Sequence, residues 1–257
     1  MNKKQFLFLL KYELINTLTN FYTIFFGMIF PTLMGTILVF VFSSQIPDIV
    51  ERQQVLTTIS LTMSMVTPLC IMLISFASSY SLEIEKNIIF RLQLFQISTQ
   101  KLLAIKILVH YFVLIISLII FSCSMIFQKA LPLPTLNSAI VYLIMFFAVA
   151  TIYFIYAFAI ANIFKKSTIA NAVAMGTYFF LMIVSGMMGI QPNQLPEPLR
   201  SVAFMQPLSY VATDFYKYWE KGFAGYNFAP FMQSCITIAA IAGILYLISL
   251  QINRKKH

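Results

Sequence analysis

The sequence predicts an all-α membrane protein: six transmembrane helices, an N-terminal interfacial helix, a short cytoplasmic helix between spans two and three, and short re-entrant helices before span six. Three observations carry that prediction. Six stretches, at about 21–43, 57–80, 107–127, 138–164, 168–189 and 229–250, contain no Lys, Arg, Asp or Glu and are long enough to cross a bilayer. Hydrophobic residues make up 60% of the 257-residue chain and charged ones only 10%, with 26 Phe and 14 Met, far from a soluble domain. The charges that remain fall almost wholly between the six stretches. Backbone polar groups inside lipid need partners within their own segment, so the spans are helices. The chain 1–257 reads as a single transmembrane domain.

The first element, over residues 1–20, is an amphipathic helix expected to lie along the membrane surface. Phe6, Leu7, Leu10 and Leu14 share one face with Leu9 at its border, while Lys4, Lys11 and Asn16 fall off it; Lys3 and Glu13 lie near the apolar face. Lys11 and Glu13 also interrupt the first apolar run too early for a cleaved signal peptide, so the N-terminus is expected to be retained. Span one contains Pro31 and Gly35, a site for a kink. The loop over 81–106 mixes acidic, basic and apolar residues; Ile88, Leu92 and Phe95 recur at helical spacing with Lys86, Asn87, Arg91, Gln93 and Gln96 on other faces, which predicts a short amphipathic helix. Ser98 and Thr99 offer a helix start leading into span three. Ser185, Gly186 and Gly189, with Ala170, Ala172, Ala174 and Gly176, are expected to let span five pack closely. The segment 190–228 carries Pro192, Pro196, Pro198 and Pro207 between apolar pieces too short to span, as in 201–212, which predicts re-entrant helices around Pro196, Pro198, Leu199, Pro207 and Leu208. Trp219, Tyr216, Tyr218 and Tyr226 fit an aromatic interface belt.

Charge sets the orientation. Of the 17 Lys and Arg, 12 lie in the N-terminus, the second and fourth loops and the C-terminus; Arg52, Lys129, Arg200, Lys217 and Lys221 lie on the other side. The positive-inside rule therefore places both termini and the second and fourth loops in the cytoplasm. In a soluble protein a net charge of +9 would point to nucleic acid; here it reports topology, and no nucleic-acid partner is expected.

The chemistry is sparse. There is no G-x-x-x-x-G-K-[ST] phosphate loop, no H-E-x-x-H motif and no metal-ligating set, and Ile183-Val184-Ser185-Gly186-Met187 lacks both glycines of a nucleophile elbow. Cys70, Cys123 and Cys235 fall within spans and read as packing residues. The only ionisable His, Asp, Glu, Lys or Arg inside the six windows is His110, near the cytoplasmic end of span three, which disfavours ion-coupled transport. The chain itself is not expected to be an enzyme, and it carries no cofactor of its own.

Glu83, Glu85, Lys86, Arg91, Leu92, Leu94, Phe95, Ile97, Ser98 and Lys106 follow one another as an acidic pair, a basic residue, an apolar helix, a turn and a Lys before span three. With the six spans and the run Leu195-Pro196-Glu197-Pro198-Leu199-Arg200, then Gln206-Pro207-Leu208-Ser209-Tyr210, the chain resembles the type-2 permeases of ATP-binding-cassette transporters, exporter-like. Asn87-Ile88-Ile89 stands where that family often has Gly-Thr, and Gln96 where a proline is frequent. The resemblance implies a half-transporter: two separate ATPase subunits holding ATP and Mg, a second copy of the chain or a related permease, and membrane lipid around both. It makes Glu83, Glu85, Lys86, Arg91, Leu92, Leu94 and Phe95 an ATPase-coupling helix, and it implies export of an amphipathic or hydrophobic substrate, whether peptide, drug or lipid. Exporters of phenol-soluble-modulin-like peptides are one candidate subgroup. Met63, Met65, Tyr178, Phe179 and Met182 are candidates for lining the path. The competing readings are a non-transport scaffold or enzyme subunit, and an ion-coupled secondary transporter.

Overall fold

The computed structural model describes residues 3–187, 191–222 and 226–254. Every regular element among them is helical, and six helices are long and apolar enough to cross a membrane. These are span one (Tyr22–Gln45), span two (Ile49–Glu85), span three (Thr99–Phe127), span four (Leu136–Phe164), span five (Ser167–Val184) and span six (Ala229–Ile252). An N-terminal helix, Lys3–Leu18, precedes them and packs along the start of span three. A loop helix, Ile88–Leu94, joins spans two and three. Three short helices, Glu197–Phe204, Leu208–Thr213 and Phe215–Lys221, lie between spans five and six.

Side-chain contacts fix the two ends of the bundle. At one end Lys106 meets Glu13 and Glu83, and Glu85 Oε2 accepts a hydrogen bond from the Ser167 amide at 2.7 Å. This basic end holds the N-terminal helix and the loop helix. At the far end Gln53 Nε2 donates to the Ala130 carbonyl at 3.3 Å, Trp219 Nε1 to the Pro132 carbonyl at 2.9 Å, and Ser138 Oγ to the Tyr218 carbonyl at 3.1 Å.

Span two is the core around which the others pack; its most apolar window is 94% buried, against 22% for span one and 17% for span six. Its many hydroxyls are compatible with burial because they return to the helix: Thr57, Ser60 and Thr62 donate to the carbonyls four residues back at 2.7–2.8 Å. Pro68 has no N–H for the carbonyl of Ser64, and the helix breaks there at a Met65 turn before continuing as a π-helical stretch, Leu69–Ser75. Span one behaves alike. Pro31 follows a π-helical stretch, Tyr22–Ile29.

The two π-helical stretches lie against each other. Thr23 Oγ1 and Ser75 Oγ hydrogen-bond at 2.6 Å, and a Cβ on Gly27 would stand 2.8 Å from Ile71 Cγ1. A Cβ on Gly35 would stand less tightly, 3.2 Å from Phe121 and Met125 of span three. The expected close-packing residues of span five divide instead: Ala170 and Ala174 are buried, whereas Ala172 and Gly176 are exposed, and a Cβ on Gly176 would meet nothing within 4 Å. Gly186 ends span five at φ +85°, and Gly189 lies outside the described residues. Cys70 and Cys235 are buried free thiols and Cys123 is exposed.

Candidate functional site

Glu85 ends span two, and Lys86 and Asn87 make the turn into the loop helix, with Asn87 left-handed at φ +54°. Arg91 Nη2 donates to the Lys86 carbonyl at 2.7 Å, closing that turn. The loop helix buries none of its residues completely. Ile88, Ile89 and Leu92 are half-buried, Ile89 and Ile97 packing back against the core, while Phe90, Leu94 and Phe95 are exposed, Phe95 by 73%. Gln96, at φ +60°, ends the segment; Ser98 then caps span three by accepting from the Lys101 amide. The segment therefore presents three large apolar side chains beside Glu85, Lys86 and Arg91 at the end of the bundle.

Glu83 sits apart from this surface. It points into the protein, where Lys106 Nζ donates to Glu83 Oε1 at 2.6 Å and to Glu13 Oε2 at 2.7 Å. Glu83, Lys106 and Glu13 are 3%, 0% and 1% exposed. The cluster ties the N-terminal helix to spans two and three. It also changes the face by which that helix packs: Leu9, Glu13 and Thr17 are buried, Leu10 and Leu14 are half-buried, and Phe6, Leu7, Phe8, Lys11, Tyr12 and Ile15 are exposed. Phe6, two turns before Glu13, points the same way as the packed face but is exposed near the helix start, and Glu13, an acid near the apolar stripe, is at the centre of that face. One turn along span three, His110 Nδ1 lies 2.8 Å from the Lys106 carbonyl.

These buried charges escape a window drawn only over uncharged residues. The helix of span two runs on to Glu85 and that of span three begins at Thr99, so Glu83 and Lys106 belong to the spans. Glu13, Glu83 and Lys106 are too far apart in sequence for a local pattern to join them. The one legible signal is an acid, Glu13, set near an otherwise apolar face.

At the far end, Pro207 and Leu208 are buried under the bundle, while Pro196, Pro198 and Leu199 are exposed at and around the start of the helix Glu197–Phe204. Trp219 and Tyr218 are buried in an aromatic group, with Trp219 edge-on to Tyr142 at 5.5 Å, rather than arranged as an exposed belt. Burial, and then the nearby Asp214 carboxylate, pushes the Tyr226 phenol well above its ordinary range. A cavity of about 510 Å³ opens between spans one, two and five and this segment; Glu51, Gln54, Thr58, Gln191 and Tyr216 give it a polar side, and Phe42 and Met63 an apolar one. Of the candidate path residues, Met63 alone lines that cavity. Met65, Tyr178 and Met182 are buried in the core, and Phe179 is exposed on the outside of span five.

Five apolar helices around one buried span, a charged loop helix at one end and a folded segment at the other define a polytopic membrane protein. The family model for the ABC-2 type transporter matches residues 4–218, most of the chain, and the chain belongs to that family. The match takes in the N-terminal helix, five spans and most of the far-end segment, and stops before span six. No curated protein and no solved structure matches in the same comparisons. Permeases of this family work with ATP-binding-cassette ATPase partners, and this chain is a permease subunit of such a transporter.

Proposed function

We propose that the chain is the permease of an exporter in a bacterial cytoplasmic membrane, moving an amphipathic or hydrophobic substrate outward with energy from two separate ATPase subunits. Two permease chains, identical or related, build the path between them, and both termini face the cytoplasm with the ATPases. The observation that carries this reading is the exposed Phe90, Leu94 and Phe95 beside Glu85, Lys86 and Arg91 on the loop helix. A few apolar anchors inside a charged rim are the usual makings of a protein docking surface. The ATPase's closure on ATP reaches the spans through this helix, and Glu83, buried behind it at the end of span two, ties that span to span three through Lys106. The cavity at the far end, polar on one side and apolar on the other, suits an amphipathic substrate.

The test expresses the full chain with the ATPase of a neighbouring gene and measures retention on purification. Leu94→Asp with Phe95→Asp is expected to weaken ATPase retention by roughly tenfold or more, since each lost anchor is worth more than about 1 kcal/mol. Unchanged retention and unchanged export in the double variant would overturn the docking surface. Flux driven by an ion gradient in liposomes without ATP would overturn the ATP-driven reading itself.

A further inference from the structure

The Glu13, Lys106 and Glu83 cluster places two carboxylates on one ammonium, all three almost fully buried. Lys106 Nζ serves one oxygen of each; the other two, Glu13 Oε1 and Glu83 Oε2, are buried with no partner. If both acids were ionised the site would hold one negative charge in excess, with two unpaired acceptor atoms, away from water. An uncompensated buried charge is costly enough that a group neutralises instead. Two carboxylates sharing one site do not both stay ionised when only one cation faces them.

Among the described residues, the surrounding elements do not supply the missing charge. From the N-terminal helix the titratable neighbour is Tyr12, from span two Tyr80, and from span three His110. Span four brings Phe158 and Asn162 against Tyr80, neither of them charged; span five, Ser167–Val184, contains no Asp, Glu, Lys, Arg or His; and Arg91 of the loop helix is exposed and turned to the Lys86 carbonyl. His110 has its Nδ1 at the Lys106 carbonyl, while its Nε2 is buried without a partner. A neutral ring with the proton on Nδ1 suits that geometry; a charged ring would leave a buried N–H unpaired beside an ammonium.

We propose that this cluster is a proton-binding site, holding one proton on its pair of carboxylates, and that the bound proton keeps the N-terminal helix docked on spans two and three. The proton brings the site to neutrality and turns one orphan acceptor into a donor. Its loss restores the excess negative charge, which is relieved by withdrawing Glu13, the only member on a helix outside the spans. Because the docked state holds one proton more than the released state, docking weakens as pH rises and that proton leaves. This inference stands without any ATPase.

The full chain in lipid nanodiscs is titrated from acid to alkaline pH, following the protonated-carboxyl band in infrared difference spectra together with the melting temperature. The wild type is expected to lose one such band as about one proton leaves per chain, with Tm falling over the same range. Glu13→Gln and Glu83→Gln each leave a neutral Lys–Glu pair; each is expected to abolish the band and flatten the Tm profile while still melting cooperatively. His110→Asn is expected to leave the titration in place. The proposal is overturned if the wild type shows no such band, if the band survives in both Gln variants, if it vanishes with His110, or if Tm follows sodium concentration rather than pH, which would assign a metal cation to the site.

Discussion

Two residues of the loop show how a single backbone angle decides what a position accepts. Asn87 is left-handed at φ +54°, the conformation that Gly and Asn adopt with least strain, so Asn here does the work of the Gly often found in the resembling permeases. Asn87→Gly is therefore expected to leave the loop intact, whereas Asn87→Val strains the turn by about 1–2 kcal/mol. Gln96 is the opposite case. It stands where a proline is frequent in those permeases, but at φ +60° it holds a conformation that proline, fixed near −65°, is unable to reach, and its amide donates to the Gln93 carbonyl at 2.9 Å. Gln96→Pro is expected to cost more than about 1 kcal/mol locally and to raise hydrogen exchange across the loop helix while the spans stay protected. Equal exchange in the Pro variant and the wild type would show that the loop had found another turn.

The π-helical stretches of spans one and two are the element-level counterpart. Each lies beside a proline, and their contact joins a hydroxyl pair, Thr23 with Ser75, to the close approach of Gly27 on Ile71. A methyl at Gly27 must displace Ile71 in a span that has no free surface to yield into, so Gly27→Ala is expected to destabilise by roughly 1–3 kcal/mol. Gly176→Ala, on the open face of span five, is expected to be neutral or slightly stabilising. Thermal melts of the two variants in the same nanodiscs separate the cases. The sequence located Pro31 as a place for a kink, and it located all six spans, because apolar length and proline are local properties. Of the small residues expected to let span five pack closely, Ala170, Ala174 and Ser185 are buried and Ala172 and Gly176 are not, since small residues mark a capacity for close approach and only the neighbour decides whether it is used. The short helices after span five were legible from Pro196, Pro198 and Pro207, and Ser98 as the start of span three. The buried Glu13, Lys106 and Glu83 were not, because charge at the end of an uncharged window reads as the membrane's edge until another element covers it.

At the scale of the whole molecule, the folded segment between spans five and six closes the far end of the bundle. Phe215, Tyr218 and Trp219 are buried, Phe215 and Trp219 against Tyr142 of span four, and Trp219 is hydrogen-bonded to Pro132 in the connection between spans three and four. Trp219 is the chain's single tryptophan, so intrinsic tryptophan fluorescence reports this contact alone. In the resting protein its emission is expected to be blue-shifted and shielded from acrylamide, and Tyr142→Ala, which removes the ring it packs against, is expected to shift it to the red. An exporter that releases its substrate at this end has to loosen the segment in each cycle, because the cavity lined by Gln191, Tyr216 and Met63 lies beneath and beside it. With the ATPase bound, ATP is therefore expected to increase acrylamide quenching of Trp219, and ADP to leave it unchanged. If quenching is the same with both nucleotides while transport proceeds, the segment stays closed throughout, and the substrate leaves sideways past the spans rather than through this end.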